Sequence, residues 1–215
     1  MVIGAAAAAG IATVALGLVL TPGPNMLYLV SRSITQGRRA GLVSLLGVAA
    51  GFGVYLAAAS AGIASVFAAV PAAYLALKIA GAGYLLYLAV RTLRAGGRGV
   101  FEARDLPVDP PWRLFTAGLT TNLLNPKIAV LYVALLPQFV DPAGAPVWEQ
   151  SLALGAVQIV VALTVNALIV CSAATLARVL GRRPSWVRVQ RWVMGGVLGA
   201  LAVRLLAERA PAPAQ

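Results

Sequence analysis

The sequence predicts an all-α membrane protein with six transmembrane helices, arranged as two inverted three-helix halves whose first and fourth helices are broken. Three observations predict it: a composition too apolar for water, long stretches without charge, and prolines that interrupt two of those stretches at corresponding places. Of 215 residues, 60% are hydrophobic and 11% charged, and the mean hydropathy is +0.88. Soluble domains carry roughly 25% charged residues. At this length a soluble fold leaves about 30% of its unfolded surface exposed, so it cannot hide this much apolar side chain. A bilayer removes the difficulty by replacing water as the solvent.

Residues 1–31 hold no Asp, Glu, Lys or Arg, and neither do 40–77, 114–126, 128–140 or 150–177. About 20 residues of helix cross a bilayer core. Membrane-barrel strands would alternate apolar and polar residues over ~10 positions, and these runs do not alternate. Helices are therefore expected near 6–31, 41–68, 72–92, 114–139, 150–177 and 187–206. The first charge is Arg32, so the first run lacks the basic leader of a signal peptide and is expected to be retained. Gly37, Pro71, residues 96–99, Asp109-Pro110-Pro111, residues 141–146 and Pro184 punctuate the gaps. One transmembrane domain is expected over 1–209, with a disordered Pro/Ala-rich tail at 210–215. Gly47, Gly51, Gly81, Gly195 and Gly199 suit close helix packing, and such faces also suit a homodimer.

Basic residues set the orientation. Arg32, Arg38 and Arg39 lie in the first loop, Arg91, Arg94, Arg98, Arg104 and Arg113 in the third, and Arg178, Arg182, Arg183, Arg188 and Arg191 in the fifth. Arg209 alone represents the other side, a bias of thirteen against one once Lys78, Lys127 and Arg204 are assigned to helices. The cytoplasm should hold loops one, three and five, and both termini should lie outside the inner membrane.

The net charge of +11 therefore marks topology, and no nucleic-acid partner is expected. Cys171 is a lone cysteine and there is no histidine, so neither a metal centre nor a cofactor is expected. An enzyme is not expected either, because Cys171 and Ser172 have no base within the membrane other than lysine.

The first break is Thr21-Pro22-Gly23-Pro24-Asn25. Proline lacks an N–H and clashes with the carbonyl four residues back. Pro22 and Pro24 should thus release the carbonyls of Leu18 and Leu20, and Gly23 permits unusual backbone angles. A helix restarting near Pro24 would leave the N–H groups of Asn25, Met26 and Leu27 unpaired. Free carbonyls attract a cation and a helix start attracts an anion; a zwitterionic amino acid carries both. A plain packing kink is the competing reading.

The second break is Asn125-Pro126-Lys127, where Pro126 should release the carbonyl of Asn122. Lys127 falls near the bilayer midplane, at an insertion cost of about 2.5–3.5 kcal/mol. It needs an anion, water or carbonyls: a substrate carboxylate fits, and so does a role that only anchors the fold. Lys78 and Arg204 lie near helix ends and are expected to snorkel. Gln158 and Asn166 suit interhelical hydrogen bonds or a cavity lining equally. The candidate substrate-binding residues are Pro22, Gly23, Pro24, Asn25, Asn122, Asn125, Pro126 and Lys127.

With these residues in place, the chain resembles the LysE/RhtB family of bacterial amino-acid exporters. Residues 21–51 match that family's Pro-Gly-Pro region and the glycines after it, and 115–142 resemble its Asn-Pro-Lys region. Residues 77–96 and 192–206 are similar to its third and last helices. The likeness is weakest over 97–112 and 143–190. It implies proton-driven export of amino acids or close derivatives, with the amino acid, protons and membrane lipid as partners. A cation or metal exporter of a related family is the alternative, but such a pore needs acids, His or Cys. The acids Glu102, Asp105, Asp109, Asp141, Glu149 and Glu208 all fall outside the expected helices, which favours neutral amino acids. Lys127 and Asp141 are the candidates for proton coupling.

Overall fold

The computed structural model describes residues 2–63, 79–80, 82–83, 86–87, 89–90, 93, 108–180 and 184–207. Among them all regular structure is helical. The helices are α1 (Ala5–Leu20), α2 (Pro24–Ala58, continued as one π turn over Ala59–Ile63), α3 (Pro111–Leu123), α4 (Pro126–Val130), α5 (Val147–Leu180) and α6 (Pro184–Ala207). A π turn, Leu131–Leu135, and a 3-10 turn, Leu136–Phe139, extend α4. Described residues between 79 and 93 are helical too. The rest of the expected third helix, with Pro71, Gly81 and Lys78, lies outside the described residues, as does the 210–215 tail.

Among the described residues, Pro24–Ala61 and Val147–Thr175 are each long and apolar enough to cross a membrane, and Pro111–Leu123 with Pro126–Phe139, bent by 49° at their break, meet the same length and composition together. Pro24–Ala61 is not one straight rod, however. Gly37 sits at φ 85, ψ 175, a region open essentially to glycine. Tyr28 and Ser44 would be about 24 Å apart along a straight helix, yet Ser44 Oγ donates to Tyr28 Oη at 3.3 Å. The chain doubles back at Gly37. The expected loop of about nine residues is thus a single glycine between two helical arms.

Proline opens α2, α3, α4 and α6, where its missing N–H has no intrahelical partner to lose. α2 packs on α3 and α5, and α1 packs on α5. The α2–α3 crossing is set by glycine. A Cβ on Gly47 would collide with the carbonyl of Phe115, and one on Gly118 with the carbonyl of Ser44, so the two backbones touch. Gly51 likewise lies against Asn122, and Gly195 against the Leu93 side chain. No described residue lies within 4 Å of a Cβ placed on Gly199.

Leu46, Val54, Val160 and Leu168 point outward, as lipid-facing residues do, and exposed Trp112 and Trp148 near helix starts fit an interfacial belt. Arg32 pairs with Asp109 at 2.7 Å, tying the first arm of α2, before Gly37, to the approach to α3. The core, formed around Ile11, Leu18, Leu29, Val48, Phe52, Leu131 and Leu154, surrounds the two breaks.

Candidate functional site

At the first break α1 ends at Leu20, and the chain is extended through Thr21 (φ −74, ψ 125) and Gly23 (φ −159, ψ −179) before α2 starts at Pro24. Pro22 has no N–H for the Leu18 carbonyl. The ammonium of Lys127 takes its place: Nζ donates to Leu18 O at 2.7 Å and to Thr21 O at 2.8 Å. Lys127 is 6% exposed. Hydrogen bonds involving a charged group are worth about 1.5–3 kcal/mol each, so two of them offset much of the cost of burying the lysine.

Gly23 serves this contact through its size. Its extended angles are open to any residue, so the special conformation expected of it is not what the position requires. A Cβ there would lie 2.9 Å from Lys127 Nζ and 3.2 Å from Cε. The N–H groups after Pro24 are also not all free, since Leu27 donates to Gly23 O at 2.9 Å, closing the first turn of α2.

At the second break α3 ends at Leu123 and α4 restarts at Pro126. Asn125 Oδ1 accepts the backbone N–H of Lys127 at 3.1 Å, a side-chain cap that aligns the lysine's backbone. The Asn122 carbonyl, expected to be released here, accepts from Asn125 N at 3.0 Å, because the chain tightens into a turn. The Leu123 carbonyl accepts from Tyr55 Oη at 2.8 Å. Tyr55 stacks on Tyr132 at 5.4 Å between ring centroids, and Tyr132 Oη donates to Gln158 Oε1 at 2.7 Å. Polar contacts thus run from the break to α5.

Lys127 faces a cavity lined also by Asn25, Asn125, Gln158 and Asn166, with apolar walls from Val19, Met26, Phe52, Ile128 and Leu131. Gln158, Ala162 and Asn166 recur every four residues, so one face of α5 supplies that side. The space open to the centre of a water molecule is about 20 Å³, enough for about one water and too little for an amino acid. Asn25 Oδ1, Asn125 Nδ2 and Asn166 Oδ1 are buried without hydrogen-bond partners.

The structure therefore brings Asn25, Asn125 and Lys127 together on one cavity. Pro22, Gly23, Pro24 and Pro126 shape the backbone around it and do not line it. Asn122 is fully buried against Gly51, outside the lining. Asp141 is exposed in the turn after the 3-10 segment, its Oδ1 accepting from Ala143 N at 2.9 Å, and is also absent from the lining. Gln158 and Asn166, which the sequence left undecided, do line the cavity.

Broken helices that meet at a buried polar cavity are the construction of secondary transporters as a class. Residues 16–209 match the family model described as "LysE type translocator", and the chain belongs to this family. It is 33% identical over 179 residues to the homoserine/homoserine lactone efflux protein of Salmonella typhimurium, covering 83% of this chain and 79% of the relative. It is 28% identical over 191 residues to a leucine efflux protein of Salmonella choleraesuis, covering 89% and 90%. It is 29% identical over 188 residues to the uncharacterized membrane protein YahN of Escherichia coli, covering 87% and 83%. No solved structure matches the chain.

Proposed function

We propose that the protein is a secondary transporter that moves a neutral amino acid or close derivative out of the cytoplasm across the inner membrane, driven by the proton gradient. Both termini face outward, and two inverted halves carry the matched breaks. The observation that carries this reading is the buried ammonium of Lys127, which joins the breaks and faces a cavity. Two of its three protons go to carbonyls, leaving one for a substrate carboxylate. Asn125 stands beside it, and the apolar walls suit an uncharged side chain. A lining of one cation and neutral amides fits a zwitterion better than a bare cation, which argues against the metal-exporter alternative. The similarity to efflux proteins for leucine and for homoserine and its lactone points the same way, since all three compounds carry an ammonium beside a carbonyl carbon. Lys127 is the one titratable group among the described lining residues, which supports Lys127 over Asp141 for proton coupling.

Efflux of a panel of labelled amino acids, from cells making the protein or its Lys127→Ala form at equal membrane levels, tests the reading. Faster efflux of neutral amino acids that disappears in the variant is expected. An unchanged panel with the protein present in the membrane contradicts it.

A further inference from the structure

Two buried oxygens in the cavity have no donor. Asn25 Oδ1 comes from the start of α2 and Asn166 Oδ1 from the middle of α5, and their residues are 7% and 2% exposed. The orientation of Asn166 is fixed from within its own helix: Nδ2 donates to Ala162 O at 2.8 Å, so the oxygen is the end left over. Gln158 Oε1 differs, because Tyr132 already donates to it. Buried acceptors without donors destabilise a fold, and native proteins keep few of them. In a membrane interior the penalty is not relieved by bulk water. Two such acceptors on one cavity, on helices other than the one carrying the lysine, form a receptor for a ligand that brings its own donors.

We infer that Asn25 and Asn166 receive the ammonium group of the substrate, while Lys127 receives its carboxylate. The inference rests on the amino-acid reading above and adds the residues that make an ammonium a requirement. A substrate ammonium has three donors, enough for both amide oxygens. The two amides then select amino acids over 2-hydroxy acids of the same shape, whose single hydroxyl proton cannot serve both oxygens and which carry a net negative charge. Asn166 is a specificity-determining residue in this arrangement, and its contribution is separable from that of Lys127.

The test uses purified protein in proteoliposomes. Transport of labelled leucine and homoserine is competed by the unlabelled amino acids and by 2-hydroxy-4-methylpentanoate and 2,4-dihydroxybutyrate. Wild type should prefer each amino acid to its hydroxy counterpart. In Asn166→Ala or Asn25→Ala the half-saturation for the amino acid should rise about tenfold, with that for the hydroxy acid nearly unchanged, so the preference shrinks by the same factor. Asn25→Asp keeps an acceptor of the same shape and should hold or widen the preference. A loss that falls equally on both ligand types, or no change in preference in any variant, overturns the inference and leaves these amides a structural role. Wild-type protein that transports neither leucine nor homoserine nor any other neutral amino acid of the efflux panel overturns the amino-acid reading itself.

Discussion

The breaks at 21–23 and 124–125 use the same residue, proline, for opposite ends. At the first, the chain runs extended into α2 without a side-chain cap at Gly23, and what it offers is carbonyls. At the second, Asn125 caps the next helix, the carbonyls of Asn122 and Leu123 are taken by Asn125 N and Tyr55, and what it offers is a cation. The two breaks are complementary rather than duplicate. One exposes acceptors, the other presents the donor, and neither is satisfied alone. A proline break in a membrane helix thus becomes informative when the fate of each released carbonyl is followed to its partner.

Changing the donor's shape while keeping its charge should have the largest effect. In Lys127→Arg a planar guanidinium replaces a compact ammonium in a space that Gly23 already limits. Efflux should fall about 30-fold or more at unchanged membrane levels. Full, pH-dependent efflux from Lys127→Arg breaks both the clamp and the assignment of proton coupling to Lys127. Crowding the clamp from the acceptor side comes next. Gly23→Ala places a methyl 2.9 Å from Nζ, and a loss of efflux of about tenfold is expected, one hydrogen bond to a charged group being worth that much. Rates like those of wild type would mean that the lysine has room to spare.

Loss of the cap is smaller. Asn125→Ala should lower the stability of the detergent-purified protein by about 1 kcal/mol, read as a lower thermal midpoint. Because Asn125 also lines the cavity, efflux should drop beyond what the protein level explains. The smallest effect belongs to Asp141→Asn. The carboxylate is exposed in a turn, and the pH profile of efflux should stay in place. A displaced profile would move proton coupling away from the joined breaks.

Both breaks were legible in the sequence because proline chemistry is local: Pro22 and Pro126 each name the carbonyl they abandon. The partners were not. Lys127 reaches carbonyls more than a hundred positions earlier in the chain, and a backbone oxygen leaves no mark in residue type. Prolines also do not announce the repair, so the capture of the Asn122 carbonyl by Asn125 could not be foreseen. Gln158 and Asn166 remained undecided because a polar residue on an apolar helix reads the same whether it faces a neighbour or a cavity; their register with Ala162 acquires meaning only once α5 lies beside the breaks. Gly37 reads as punctuation in the sequence, but its positive φ, and the fact that it turns the chain alone, show only where Ser44 meets Tyr28 across the hairpin. The long charge-free runs foretold helices and a membrane without any tertiary contact, since burial in lipid is a property of each segment.

In the proposed transporter Lys127, held between the two breaks, belongs to the substrate site as well as to the scaffold. Equilibrium binding of labelled leucine and homoserine to the purified protein, beside Lys127→Met with its thermal midpoint recorded, tests this most directly. Saturable binding of at least one of the two by wild type is expected, with about 30-fold weaker binding by a variant that is still folded. Equal affinity in the two proteins would reduce Lys127 to a strut between helices with no part in the substrate site.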